Sequence, residues 1–275
     1  MSLDGVATTA VSTARIRAGE SRRRDRLFDD PLAAEVVRAA GVHDRPDGLS
    51  NHPVREYLRL QVVVRTGFYD AFVRSAVTAG CRQVVLVGAG YDARAIRMKL
   101  PSQVSVFELD QPSVLDAKAA AIQRLGLRAT AQRIPVPVDV RTDGWTSALA
   151  AAGHDRSAPT AWLLEGLLVY LDSDTAARLL DGITALSPAG SRLACEQTLP
   201  ARSRAQRHEV ALVVPAARWW IGGTDQPVDS WLGGRGWKCR EVSVSDAAAQ
   251  CGRPVPDALR EIADRGGFVT ASRQE

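Results

Sequence analysis

A short apolar segment, residues 84–87, runs directly into a glycine-rich turn, and this junction constrains the fold most strongly. The segment is β-branched and uninterrupted, which is typical of a parallel strand buried on both faces. Gly88 and Gly90 then allow a tight turn that brings backbone amides close to a ligand at the start of a helix. Glu108 follows Gly88 by roughly 20 residues, the separation at which a second strand delivers a carboxylate to a ribose. We therefore predict a site for a nucleoside-containing ligand.

The glycine pattern leaves two kinds of cofactor open. Gly88, Gly90 and Ala93 also satisfy the dinucleotide fingerprint in which alanine replaces the third glycine. Asp92 favours a different ligand, because a carboxylate at the mouth of the helix would repel a pyrophosphate but attract the cationic amino-acid end of S-adenosylmethionine. The alternative is that Asp92 only caps the following helix.

Apolar strands alternate with helical segments through the middle of the chain, which predicts a doubly wound parallel α/β sheet. The predicted strands are residues 84–87, 104–107, 136–138, 161–164 and 192–195. The predicted helices between them are residues 93–99, 113–124, 145–151 and 174–185. Ligands of such a sheet gather at the carboxyl ends of its strands.

The flanking segments predict two additions to this core. Residues 1–82 are expected to form a helical cap, with helices at 9–20, 31–40 and 54–78, before the core at 83–199. Residues 200–275 are expected to complete the same domain. They begin with a helical lid at 200–221, which contains His208 and a tryptophan pair, and finish with a strand near 267–271 that returns to the sheet edge.

Composition excludes several classes of protein. With 275 residues, of which 45% are hydrophobic, the chain can bury a full core. The longest apolar run, residues 161–171, is interrupted by Glu165 and is too short to span a bilayer. No apolar block follows the N-terminal basic residues, so we expect a soluble, cytoplasmic protein. The four cysteines lack a CxxC spacing, which argues against a metal site.

Arginines are concentrated in residues 15–26, although the formal net charge of the chain is only +4. Such a cluster could line a nucleic-acid groove. No aromatic residues lie among these arginines, however, and acidic residues do. We therefore expect a solvated helix face that supplies one or two functional arginines, and no nucleic-acid or membrane partner.

Four motifs, in order, resemble the leucine carboxyl methyltransferase family over roughly residues 10–200. They are 85–94 (VLVGAGYDAR), 107–112 (FELDQP) with Lys118, 139–141 (DVR) and 164–171 (LEGLLVYL). The resemblance implies a class I methyltransferase fold, which is Rossmann-like, and S-adenosyl-L-methionine as the cofactor. The segment after residue 200 carries no motif of the family.

The resemblance also assigns roles around the adenosine of the cofactor. Asp110 would bind the ribose hydroxyls, with Glu108 as the neighbouring alternative. Asp139 would accept a hydrogen bond from the adenine amino group, assisted by the backbone of Val140. Positioning residues of this kind are expected to outnumber acid and base residues, because methyl transfer needs orientation and exclusion of water.

Glu165 is expected to meet the amino-acid end of the cofactor. A carboxylate at the end of a buried strand is costly unless a cation or hydrogen-bond donors contact it. The ammonium group of the cofactor is one such partner, and a structural arginine is the alternative. The resemblance implies that Arg65 binds the carboxylate of the methionyl end, together with Arg15 or Arg17.

Arg141 and Tyr170 match family positions near the transferred methyl group. A guanidinium and a phenol there could bind a substrate carboxylate and orient one oxygen. A carboxylic acid is already ionised near neutral pH, whereas a phenol, with a pKa near 10, would need a base such as His208.

We therefore predict an O-methyltransferase acting on a carboxylic acid of a small molecule; secondary metabolites are a substrate class suggested by the bacterial members of the family. Methylation of a phenol or hydroxyl is the nearest alternative. A nicotinamide-dependent oxidoreductase would also have the glycine turn, but no Tyr-x-x-x-Lys proton donor is found. A non-catalytic cofactor-binding module is a further alternative, and no feature of the sequence indicates an oligomeric state.

Overall fold

The strands of the protein form one sheet in the computed structural model, which describes residues 3–41, 52–197, 217, 219–265 and 267–274. These strands are β1 (Gln83–Val87), β2 (Ser105–Asp110), β3 (Gln132–Pro137), β4 (Thr160–Leu164), β5 (Arg192–Glu196), β6 (Trp237–Ser243) and β7 (Gly267–Arg273). Their order across the sheet is β3-β2-β1-β4-β5-β7-β6. The predicted α/β class is confirmed.

Helices cover the sheet and precede it. In the described ranges they are α1 (Leu3–Ser21), α2 (Pro31–Ala39), α3 (Pro53–Thr78), α4 (Arg94–Arg97), α5 (Pro112–Arg124), α6 (Trp145–Ala151), α7 (Ser173–Ala185), α8 (Val228–Gly233), α9 (Val244–Gln250) and α10 (Arg260–Arg265). Proline opens α2, α3 and α5, where its missing N–H costs no helical hydrogen bond. None of the helices in these ranges has both the length and the apolar character needed to cross a membrane.

Strand β1 lies at the centre of the core, and all five of its residues are buried. Val84 and Leu86 pack in the cluster that includes side chains of α3, while Val85 and Val87 pack with α7 on the other face. The two faces are covered because parallel crossovers place helices on both sides of a sheet. This confirms that the apolar segment at 84–87 is a strand buried on both sides.

The order in which strands join the sheet reverses at β1: β2 and β3 lie on one side of it, and β4 and β5 lie on the other. Strand β1 pairs in parallel with β2 on one side and with β4 on the other. The crossovers on the two sides therefore leave a crevice above the carboxyl ends of these strands, where open α/β sheets bind ligands.

The prediction that the last strand returns to the sheet edge was wrong. Strand β7 lies between β5 and β6 and runs antiparallel to both, so β6 forms the edge. The sequence did not reveal β6, because its residues are largely exposed and polar, which weakens any apolar signal.

Two other predicted boundaries differ from the structure. Helix α4 is much shorter than the predicted segment 93–99, because the backbone is already extended at Met98 and Pro101 disfavours a helical residue before it. Strand β3 begins earlier than the predicted 136–138, since pairing with β2 aligns Gln132 with Ser105. The lid prediction, with His208, falls mainly on residues 198–216 and 218, outside the described residues.

Candidate functional site

A cleft of about 1480 Å³, its open mouth included, lies at the carboxyl ends of β1, β2 and β4, where the crossovers reverse. The helices α1 and α3 and the loops after these strands form its walls. Most of the residues predicted for the site line this cleft. They are Arg65, Gly88, Gly90, Asp92, Asp110, Asp139, Val140, Arg141, Glu165 and Tyr170.

The turn after β1 has the backbone that the glycine pattern predicted. Gly88 and Gly90 have φ angles of +68° and +45°, a region that side chains with a Cβ rarely adopt. A Cβ added to Gly88 would lie 3.0 Å from Cδ1 of Leu167, which is closer than side chains normally pack. Both glycines are therefore required by the backbone of the turn, and Gly88 also by the packing of Leu167.

Asp110 ends β2 and points its carboxylate into the cleft. Its Oδ2 accepts a hydrogen bond from the Gly90 amide at 2.6 Å, and its Oδ1 accepts one from the Gln111 amide at 2.7 Å. Burial raises the pKa of Asp110 above its ordinary value, although the two amide hydrogen bonds oppose the shift. A carboxylate fixed in this way retains lone pairs for the hydroxyls of a ligand.

The structure does not bring Glu108 to the cleft. This carboxylate is 0% exposed, lies beneath α5 and contacts Lys118 Nζ at 3.0 Å and Arg133 Nη2 at 2.7 Å. Glu108 and Asp110 lie on the same face of β2, but only Asp110 extends past the covering helix. The sequence separation from Gly88 therefore points to the strand that ends at the cleft, but Asp110 and not Glu108 is the acid that lines it.

An interlocked set of ion pairs forms the wall between β4 and α3. Glu165 Oε1 lies 3.0 Å from Arg65 Nε, and Glu165 Oε2 lies 2.6 Å from Arg94 Nη1. Arg94 also donates from Nε to Asp70 at 2.8 Å and contacts Asp92. Burial alone would raise the pKa of Glu165, but the two guanidinium groups outweigh it and lower the pKa to about 2.

These contacts bear on two of the alternatives raised by the sequence. Glu165 contacts two structural arginines, which were the alternative to a cofactor ammonium group. It also lines the cleft. Asp92 likewise lines the cleft while its Oδ1 accepts a hydrogen bond from the Arg94 amide, at the first residue of α4.

Of the two N-terminal arginines, the structure places Arg17 at the cleft and Arg15 on the exposed side of α1. Arg17 is buried, pairs with Asp30 at 2.8 Å and donates to the backbone oxygen of Tyr91 at 3.0 Å. Two residues along a helix differ by roughly 200° in direction, so only one of these arginines can face the core. Of the two candidates, Arg17 lines the cleft and Arg15 does not, so Arg17 takes the place of Arg15 among the residues proposed for the site.

The other side of the cleft is more open. Asp139 and Arg141 are paired with each other, at 2.8 Å from Arg141 Nε to Asp139 Oδ1, and their side chains are 31% and 38% exposed. This hydrogen bond lowers the pKa of Asp139. The Tyr170 hydroxyl accepts a hydrogen bond from Trp220 Nε1 at 3.3 Å.

Two residues of the ion-pair network at this wall were missed from the sequence. Arg94 lies within the glycine motif, but no role was assigned to it. Glu196, the last residue of β5, contacts Arg65 and the Gly166 amide. A usable signal existed for Glu196, because it ends an apolar strand with an acid in the same way as Glu165.

The sheet order, with its antiparallel β7 between β5 and β6, and the cleft at the reversal of the crossovers define a class I methyltransferase fold. Two solved structures share this fold. One is a DUF574 family protein of Streptomyces avermitilis, with a TM-score of 0.55 and 16% identity, covering 94% of this chain and 96% of that one. The other is a protein of Thermobifida fusca assigned by inference to the methyltransferases, with a TM-score of 0.57, 17% identity and coverage of 95% and 94%.

The family model of the leucine carboxyl methyltransferases matches residues 10–184, and the chain belongs to that family. A protein of Frankia alni assigned by inference to the S-adenosyl-L-methionine-dependent methyltransferases is 41% identical over 98% of this chain and 95% of its own length. A Streptomyces coelicolor protein with the same assignment is also 41% identical, over 98% and 96%. The predicted family and fold are confirmed.

Proposed function

We propose that this protein is an S-adenosylmethionine-dependent O-methyltransferase that methylates a carboxylate of a small organic molecule. Methyltransferase activity and S-adenosylmethionine as its cofactor follow from the family and from relatives assigned to that class. They agree with the sequence-based expectations. The oxygen acceptor, the carboxyl group and the site residues are our proposal.

The residues of the cleft fit such a cofactor. The observation that carries the proposal is that Asp110 and the pair formed by Arg65 and Glu165 line the same cleft. A carboxylate suits the two hydroxyls of a ribose, and a guanidinium beside a carboxylate suits an amino acid, whose own charges are opposite to theirs. The glycine turn at Gly88 and Gly90 lines the same cleft as these two groups.

Bound S-adenosylmethionine supplies a methyl group activated by the positive sulfur. The protein therefore has to hold the reactants in line and exclude water. Asp110 is already fixed by two amides, and Glu165 by two guanidinium groups, so little reorganisation is needed when a ligand binds. Asp139, at the cleft edge, is the residue we assign to the adenine amino group.

Arg141 and Tyr170 are the residues we assign to the acceptor. Both line the cleft, and both offer N–H or O–H groups that can donate to a carboxylate oxygen. The indole N–H of Trp220 is only a donor, so the Tyr170 oxygen accepts there and its own proton remains to be donated elsewhere. No histidine is found among the described residues that line the cleft. A carboxylate acceptor suits this arrangement, because it needs no base.

The first test is a calorimetric titration of the purified protein with S-adenosylhomocysteine and, separately, with NAD. We expect saturable binding of S-adenosylhomocysteine and none of NAD. Tight binding of NAD together with no response to S-adenosylhomocysteine would overturn the proposal.

The second test measures transfer of a radiolabelled methyl group to matched acceptors that share a carbon skeleton. Each set would contain a carboxylic acid, the corresponding alcohol and the corresponding phenol. We expect label in acids. Incorporation into phenols alone would reject the carboxyl acceptor and leave the cofactor assignment intact.

A further inference from the structure

We propose that Glu196 is a positioning residue that holds the Arg65 guanidinium and the Gly166 amide in the arrangement that binds the amino-acid end of the cofactor. This inference rests on the proposed function. Glu196 is not one of the residues that line the cleft, whereas Arg65 and Gly166 both are. Its effect on a ligand must therefore pass through these two groups.

The contacts of Glu196 join two separate walls of the cleft. Both of its carboxylate oxygens lie 2.9 Å from the Gly166 amide nitrogen, which donates to them, and Oε1 lies 3.1 Å from Arg65 Nη1. Gly166 lies in the loop after β4 and has a φ angle of +65°. Arg65 comes from the middle of α3. A single carboxylate thus fixes a helix side chain and a strand-end loop relative to each other.

The sheet register explains why an arginine lies between the two glutamates. Leu164 of β4 pairs with Cys195 of β5, so the next residues, Glu165 and Glu196, extend from neighbouring strand ends. Two carboxylates this close would repel each other, and the Arg65 guanidinium contacts both, through Nε and Nη1. Burial and the nearby Glu165 raise the pKa of Glu196, against the effect of Arg65.

The contacts of Arg65 with Glu165 and Glu196 determine which of its guanidinium nitrogens is available to a ligand. Glu165 takes the Nε hydrogen, and Glu196 faces Nη1. In the described part of the chain, no hydrogen bond uses the Nη2 amino group of Arg65. Because the guanidinium is planar and rigid, fixing two of its nitrogens also fixes the direction of the third. The carboxylate of an amino-acid ligand would bind there, while Glu165 serves its ammonium group.

The test compares one ligand that carries the amino-acid group with one that lacks it. S-adenosylhomocysteine carries the amino-acid group, whereas 5′-methylthioadenosine has the same adenosine and a sulfur but lacks that group. Calorimetry would give the affinity of the wild type and of Glu196→Gln for both. The glutamine can still accept a hydrogen bond from Gly166 but cannot form an ion pair with Arg65. Because burial already disfavours the charged form of Glu196, we expect this variant to fold.

We expect Glu196→Gln to bind S-adenosylhomocysteine about tenfold more weakly, the scale of one charge-assisted hydrogen bond, and 5′-methylthioadenosine within about twofold of the wild type. The matched control is Glu241→Gln. Glu241 is an exposed acid on β6 that contacts Gln197 at 3.1 Å and does not line the cleft. It should change neither affinity.

An unchanged affinity for S-adenosylhomocysteine, or equal losses for both ligands, would overturn the inference. In an Arg65→Gln background, Glu196→Gln should add no further loss, and a full additional loss would also overturn it. If Glu196→Gln did not fold, Glu196→Asp would be held to the same criterion. A wild type that binds neither ligand would instead reject the proposed function.

Discussion

The two sides of the cleft are built from similar ion pairs in opposite environments. On the side of α3 and β4, Arg94 is 2% exposed and contacts three carboxylates. On the opposite side, Arg141 is paired, among the described residues, with Asp139 alone, and both side chains are about one-third exposed to solvent. Movement of Arg94 would leave buried charges unpaired. The exposed pair of Arg141 and Asp139 can separate at little cost, because water can solvate both groups.

This difference suggests how the family can vary its acceptors while keeping one cofactor. In the proposed assignment, the buried network binds the amino-acid end of the cofactor, which is common to every reaction of such an enzyme. The acceptor side is held by one exposed pair and a tyrosine. Substitutions there should alter the acceptor while leaving the core intact.

The largest loss of stability is expected at Arg94. We expect Arg94→Met to lower the free energy of unfolding by about 3–5 kcal/mol, because Asp70, Asp92 and Glu165 would remain buried without this guanidinium. Urea denaturation followed by circular dichroism would measure the change.

The control for this variant is the same substitution in an exposed ion pair. Arg260 contacts Asp257 at 2.7 Å, with side chains 59% and 96% exposed, so Arg260→Met should lower the free energy of unfolding far less than Arg94→Met. Equal losses at Arg94 and Arg260 would show that the buried network does not stabilise the fold.

The next largest effect is expected at Asp110. Asp110→Ala should weaken S-adenosylhomocysteine binding by about 1–3 kcal/mol, the penalty for leaving polar groups unpaired in a buried site. Calorimetry at constant pH would measure it.

A matched variant separates Asp110 from its neighbour on β2. Glu108→Gln removes the charge that Lys118 and Arg133 contact beneath α5, so it should lower stability. It should leave S-adenosylhomocysteine affinity nearly unchanged in the folded protein. The opposite pattern, with binding lost in Glu108→Gln and kept in Asp110→Ala, would restore Glu108 as the ribose ligand.

These two acids also show how far the sequence predicts the site. The strand, turn and strand pattern located the correct edge of the sheet, because parallel strands all end on the same side. It could not rank Glu108 against Asp110, since both alternate onto one face of β2. The covering helix α5 decides between them, and its contact with β2 depends on tertiary packing that sequence spacing does not encode.

The same limit applies to Arg94 and Glu196. Their roles arise where α3, α4, β4 and β5 meet, between residues up to 131 positions apart in the chain, as for Arg65 and Glu196. The central strands were predictable because burial on both faces gives them a continuous apolar pattern. Edge strand β6, with its exposed and polar residues, gives no comparable signal.

A substitution at Tyr170 tests the side of the cleft that we assign to the acceptor. Tyr170→Phe removes the hydroxyl that meets Trp220 Nε1 and leaves the ring in place. We expect S-adenosylhomocysteine affinity to stay the same and kcat/KM for the acceptor to fall by about tenfold, since one hydrogen bond to a charged oxygen stabilises by about 1.5 kcal/mol. Steady-state kinetics with an acid that accepts label would measure kcat/KM. Parallel losses of S-adenosylhomocysteine binding and kcat/KM would place Tyr170 on the cofactor side instead.

The smallest effect on the free energy of unfolding is expected at the exposed pair of Arg141 and Asp139. Arg141→Met repeats the substitution made at Arg94, in the same cleft, but the partner Asp139 can be solvated when the guanidinium is lost. The free energy of unfolding should therefore change by only about 0.2–1 kcal/mol, the range for exposed pairs. Urea denaturation would measure it beside Arg94→Met. A loss as large as that at Arg94 would mean that the acceptor side is as rigid as the cofactor side, and the contrast between them would no longer explain how acceptors vary.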